Sequence, residues 1–209
     1  VVTGAGSSLV AKAFVSGTFT PNYQEVQEIS VPDANGDICI EDRSPVALRW
    51  VDISLVICTL DPTMINLITG DPLVLDDATP TPNTVGFRLD ADLTGSASFG
   101  LEFWSGITGQ ACDPAGFTKY GYWLFPWVKD AQWGEWVIQN DALTITLTAR
   151  AVYGGDWGVG PYDIRRDAVT PATLEPLLTP IGATQPMHYE VSSAPLPTPA
   201  CGAVTLPAP

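Results

Sequence analysis

The side chains that could do chemistry in this sequence are few and scattered. A single histidine, His188, serves all 209 residues, which leaves little material for a Ser-His-Asp triad or a histidine metal site. A carboxylate pair such as Glu102 and Glu135 is the kind that hydrolyses glycosidic bonds, but nothing in the sequence fixes the separation that such chemistry needs. Asp33, Asn35, Asp37 and Glu41 have the look of a calcium loop. An EF-hand, however, wants Gly at its sixth position and Glu at its twelfth, and these fall on Ile38 and Ser44. Asn35-Gly36 instead signals a tight hairpin turn. The glycines of Gly154-Gly-Asp-Trp-Gly-Val-Gly-Pro161 suggest a phosphate cradle, yet no Lys and no following helix support one, so a structural loop is expected. Cys39, Cys58, Cys112 and Cys201 are too far apart for a CxxC element. Three disulfide connectivities are open to them, Cys39–Cys58 with Cys112–Cys201 among these, and four free thiols are the alternative. The expectation is a chain that is not an enzyme and carries no metal or cofactor.

What must position any site is a set of strands. Ala97 to Trp104 alternates strictly, with Ala97, Phe99, Leu101 and Phe103 on one face and Ser98, Glu102 and Trp104 on the other. Tyr120 to Val128 is dense in residues that suit a pleated surface, and Pro126 within it implies an edge, a bulge or a strand end. A polar turn is expected at Lys129 to Gln132, followed by strands at Trp133–Ile138 and Ala142–Ala149. In the last of these Leu143, Ile145 and Leu147 oppose Thr144, Thr146 and Thr148. Trp50, Asp52, Ser54, Val56 and Cys58 share a face of a further strand, and Val85 to Leu93 reads as a half-buried strand whose wet face holds Arg88, Asp90 and Asp92. Between these lies one helix signal: Asp61 as N-cap, Pro62 at the first position, Gly70 as terminator, and Met64, Ile65, Leu67 and Ile68 as an apolar stripe. No run approaches the length of a membrane span.

Nine Lys plus Arg stand against 23 Asp plus Glu, for a net charge of -14. That balance argues against binding nucleic acid by neutralising phosphates. The reading is mostly β: an antiparallel β-sandwich or partial barrel with one short α-helix. It divides into an N-terminal arm over 1–24 that ends in a strand, a β domain over 25–193 and a Pro-rich extension over 194–209.

Several ordered motifs carry a resemblance. Asp61-Pro-Thr-Met-Ile-Asn-Leu-Ile-Thr-Gly70, Val85-Gly-Phe87, Phe99-Gly-Leu-Glu-Phe-Trp104, Cys112 with Tyr120-Gly-Tyr122, Pro126, and Trp157-Gly-Val-Gly-Pro-Tyr162 resemble major tail tube proteins of long-tailed phages, particularly those infecting actinobacteria. The resemblance spans about Cys39 to Gly202, and the N-terminal segment matches no motif of it. It implies a β fold completed by ring oligomerisation, in which six copies close into a ring and rings stack into a tube that passes double-stranded DNA. It further implies a virion protein of the tail, assembled in host cytoplasm, whose partners are copies of itself and other tail proteins, with no membrane.

An acidic wall would keep the duplex sliding instead of holding it by counterion release. Asp52, Asp90, Asp92 and Glu102 are the candidate lumen residues. Phe14, Phe19, Trp104, Trp127, Trp157 and Tyr162 are candidates for contacts between subunits. The loops over 106–119 and 154–162, with the N-terminal arm, are candidates for contacts between rings. The aromatic residues also fit a carbohydrate-binding β-sandwich with a stacking platform, and a capsid decoration protein is a further structural reading.

Overall fold

The alternation of Leu143 to Ala151 into inward apolar and outward Thr positions is what sets the central sheet. The computed structural model describes residues 8–12, 14–91, 97–107, 116–138, 143–169 and 171–199. In chain order the elements are β1 (Phe14–Tyr23), β2 (Glu28–Pro32), β3 (Ile38–Arg43), β4 (Leu48–Ile57), α1 (Pro62–Thr69), β5 (Leu73–Leu75), β6 (Thr84–Phe87), β7 (Phe99–Gly106), β8 (Tyr120–Ile138), β9 (Leu143–Ala151), β10 (Arg165–Arg166), β11 (Leu174–Glu175) and β12 (His188–Ser192). The fold is mostly β, antiparallel throughout its named pairings, with one helix. The strand ending the expected N-terminal arm is β1, Phe14–Tyr23, which pairs with β4 in the main sheet.

Six strands make that sheet, in the order β1-β4-β9-β8-β12, with β7 also paired to β8. Val128 pairs with both Phe99 and Ala151, while Tyr120 to Leu124 pair with both β7 and β12. Hence β12 and β9 follow one another along one edge of β8, and β7 occupies the other. The inner face carries Phe19, Ile53, Leu55, Phe103, Phe125, Leu147 and Ala149 in one cluster. Phe19 of β1 lies 5.5 Å from Phe103 and 4.7 Å from Phe125, and Phe14 lies 5.3 Å from Phe103. The far ends of the sheet therefore meet through aromatic rings, and the sheet curls into a partial barrel whose seam is packing without a hydrogen-bond ladder.

β8 is able to curl because its ladder is interrupted. Pairing with β7 skips a residue around Pro126, so Phe125 and Val128 both point inward. The expected turn at Lys129 to Gln132 is a second irregularity inside the same strand: Asp130 adopts φ 53, and pairing with β9 continues on both sides. A bulge absorbs the polar residues there without ending the strand. The expected strand from Val85 to Leu93 is likewise short, ending at Phe87, where Arg88 N–H makes a last bond to the Pro72 carbonyl.

The helix follows its sequence signals. Asp61 Oδ1 accepts from Thr63 and Met64 N–H, and Gly70 closes the helix at φ 83 with its N–H on the Asn66 carbonyl. Ile65 is fully buried against Ile57 and Ile145, which seats α1 at one end of the barrel. Among the described residues β2 and β3 pair only with each other. Gln24 N–H to Ala47 O and Ser44 N–H to Gln27 O continue the β1–β4 pairing into them, so a single ribbon leaves the sheet and projects into solvent.

Candidate functional site

Asp52 lies on the outer face of the central sheet, in a row that reads Thr20, Asp52, Arg150, Lys129 across β1, β4, β9 and β8. Its Oδ1 accepts from Trp50 Nε1 at 3.0 Å and pairs with Arg150 at 3.4 Å. The charge is therefore offset within the row. The next rows outward are Thr18, Ser54, Thr148, Gln132 and then Ser16, Val56, Thr146, so this face is coated mainly by hydroxyls. Asp90 is exposed beyond the end of β6, and its backbone N–H bonds Asp71 Oδ1 at 3.2 Å. Asp92 lies outside the described residues. The fold does not bring Asp52 and Asp90 onto one surface with Glu102.

Glu102 corrects the sequence reading most sharply, because the face it occupies is not wet. Two rows cross three strands here: Trp104, Tyr122 and Glu190, then Glu102, Leu124 and His188. Ile164, Leu177, Ile181, Trp157 and Tyr162 pack over that face as a second apolar cluster with Tyr122 and Leu124. Burial raises the Glu102 carboxyl to about 7, although a hydrogen bond from Tyr122 acts the other way. Burial first, then the nearby Glu102 and Glu190 charges, hold the Tyr122 phenol well above its usual range. Burial also raises Tyr162, against a hydrogen bond with Ser8. Glu190 Oε2 lies 3.3 Å from His188 Nε2, while Glu190 Oε1 and Trp104 Nε1 are buried with no hydrogen-bond partner among the described residues. Sequence alternation missed this because Glu102 falls on the face opposite Phe103. The clue was the unbroken apolar run at Tyr120 to Phe125, which marks a strand covered on both sides.

Glu102 and Glu135 do not form a pair. Glu102 sits opposite Leu124, and Glu135 lies eleven residues further along the same strand, on the order of 30 Å away at the rise of a β-strand. The calcium-like spacing is a hairpin turn: Asp33 Oδ1 accepts from Asn35 and Asp37 N–H, and Gly36 has φ 91. Among the described residues no group of three or more His, Cys, Asp and Glu is placed to hold a metal. Cys39 and Cys58 are exposed and not joined. Cys39 is on the projecting ribbon and Cys58 follows the far end of β4, so the length of a ten-residue strand separates them, well beyond disulfide reach. Cys112 and Cys201 lie outside the described residues. No described helix is long and apolar enough to cross a membrane.

The candidate contact residues have extensive partners within the chain. Phe19 is in the main cluster; Trp104, Trp157 and Tyr162 pack on the second one. Trp157 lies over Gly100, where a Cβ would come within 2.6 Å of its ring. Trp127 stacks beneath Lys129 at 3.7 Å and against Gly154 and Gly155. Phe14 remains substantially exposed. Asp71 was missed entirely, because an acidic residue after a helix gives no sign that it will be buried. It is 1% exposed, and its Oδ2 accepts from Thr69 Oγ1 at 2.7 Å and from Trp133 Nε1 at 2.8 Å. With the bond from Asp90 N–H it ties α1, the segment after β6 and β8 together.

No family model matches the chain, and no curated protein or solved structure matches it either.

Proposed function

We propose that this chain is the repeating subunit of a hollow tube, in the manner of the major tail tube proteins that its motifs resemble. Six copies close a ring, rings stack, and double-stranded DNA passes through the lumen without specific binding. The supporting observation is the edge of the sheet. Among the described residues β1 pairs on one side only, with β4, and its ten residues, Phe-Val-Ser-Gly-Thr-Phe-Thr-Pro-Asn-Tyr, include no charged side chain. Long edge strands in solitary proteins are blunted by charge or cover, since their unpaired N–H and C=O groups template another chain. Apart from Pro21, β1 lacks such a guard, which suits an edge that is completed by a neighbour. Among the described residues, 129–138 of β8 pair with β9 alone, and β7 and β12 each pair with β8 alone, so further edge lies open.

Sedimentation of the purified chain over a concentration series, with negative-stain microscopy, tests the reading. Rings or tubes of uniform diameter are expected, with no measurable retention of duplex DNA at physiological salt. A chain that sediments as a monomer at every concentration overturns it.

A further inference from the structure

The junction where β1 and β4 run on toward the β2–β3 ribbon is irregular. Asn22 pairs with Trp50 but Tyr23 pairs with Leu48, so the ladder skips a residue between them, and a bulge of this kind re-aims the side chains beside it. Backbone bonds resume beyond it, from Gln24 N–H to the Ala47 carbonyl and from Ser44 N–H to the Gln27 carbonyl. An open groove of about 670 Å³ lies here, with Tyr23, Arg49 and Trp50 among its lining residues. Its size is within the roughly 300–1,000 Å³ of small-molecule sites.

Two of its walls are fixed in advance. Trp50 is held by its Nε1 bond to Asp52 Oδ1 at 3.0 Å, and the Arg150 guanidinium lies 5.0 Å from its ring centre. Arg49 in turn lies 4.5 Å from that ring. Arg150 is paired with Asp52, whereas Arg49 makes no ion pair among the described residues, in a chain with 23 acidic side chains against nine Lys plus Arg. Its N–H donors are therefore oriented and unused. Tyr23 is 57% exposed, and among the described residues its ring stacks on no other ring.

The lining selects the ligand. Asn22, Gln24 and Gln27 each bring a carboxamide that both donates and accepts, as hydroxyl groups do. Arg49 adds donors, Glu25 adds an acceptor, and their charges cancel. In a chain of net charge -14, such a groove offers a polyanion no line of cations and repels it. It offers an apolar ligand no aliphatic side chain. A pyranose satisfies both conditions, because it has a C–H face that suits an aromatic ring and a rim of hydroxyls that suits the amides. We propose that the Tyr23–Arg49–Trp50 groove binds a neutral saccharide, with one pyranose face against the Tyr23 ring and its hydroxyls bonded to Asn22, Gln24, Glu25, Gln27 and Arg49. Binding of this kind does not require the assembly proposed above.

Two measurements test it. Neutral oligosaccharides of glucose, galactose, mannose and N-acetylglucosamine are arrayed beside heparin oligosaccharides as the polyanionic control, and the array is probed with the fluorescently labelled chain. Retention on at least one neutral series and none on heparin is expected. Retention on heparin, or on nothing, overturns the proposal. The retained sugar is then titrated against Tyr23→Ala, Tyr23→Phe and Arg49→Gln. Both side chains are exposed, so unchanged circular dichroism spectra are expected. Tyr23→Ala and Arg49→Gln should each weaken binding tenfold or more, as loss of one ring contact or one charged donor implies, while Tyr23→Phe keeps the ring and should stay within about threefold of the parent. Parental affinity in Tyr23→Ala and Arg49→Gln places the sugar elsewhere and overturns the site. Equal losses in Tyr23→Phe and Tyr23→Ala overturn the stacking.

Discussion

Replacing Glu102 with Gln separates a buried carboxyl from a wet one. The side chain hydrogen-bonds Tyr122, and Tyr162, Glu190 and His188 are the other titratable groups on that face. Its folded value is raised from 4.5 to about 7 by burial. Between those two pH values the folded chain keeps a proton that the unfolded chain has released, so stability falls as pH rises through the window and is flat above it. At about 1.4 kcal/mol per pH unit, the gap corresponds to roughly 3 kcal/mol at neutral pH and above. Gln fills the same space and does not titrate. It should therefore remove this slope and, after subtracting about 1 kcal/mol for a poorer bond to Tyr122, leave the variant about 2 kcal/mol more stable at pH 8. Urea unfolding of both proteins at pH 4.5 to 8, followed by tryptophan fluorescence at a concentration where the chain is dissociated, reads the difference directly. Subtracting the two curves cancels the other carboxylates and His188. Parallel curves across the window would refute the buried assignment and return Glu102 to the solvent-facing role expected from strand alternation.

Asp71→Ala should be costly, because it removes the carboxylate oxygen that accepts from both the Trp133 N–H and the Thr69 hydroxyl. Thr69 retains the Ile65 carbonyl and Asp90 is solvent-exposed, so the main loss is the stranded indole, and about 2–4 kcal/mol is expected. Chemical denaturation of the variant measures it, and a change below about 1 kcal/mol would show that the Asp71 junction relaxes without penalty. Gly100→Ala places a methyl 2.6 Å from the Trp157 ring, which must move; a loss of about 1–3 kcal/mol and an altered near-ultraviolet circular dichroism signal are expected, and an unperturbed spectrum would contradict the packing.

The parts of this fold that were readable in advance are those decided by local chemistry. Asp61, Pro62 and Gly70 specify a helix through backbone groups within a few residues, and the Leu/Thr alternation of β9 specifies its two faces without reference to anything distant. What could not be read depends on partners far along the chain. Lys129 to Gln132 has the composition of a turn, but the β9 ladder holds on both sides of it and turns it into a bulge. Asp71 is acidic and follows a helix, and only Trp133, 62 residues away, makes it a buried acceptor. Glu102 took its environment from Ile164, Leu177 and Ile181, in a region with no long periodic strand to announce that it would cover a sheet.

The same distinction reshapes how a tube built from this chain would treat DNA. If the hydroxyl-lined outer face of β1, β4 and β9 forms the wall, Arg150 on it is already paired with Asp52, Arg49 lies over the Trp50 ring, and Lys129 on the neighbouring β8 lies over the Trp127 ring. Retention of a duplex comes from counterions released when cations line up along phosphates. Withholding such a line of cations is sufficient to let the duplex slide, and strong repulsion is not required.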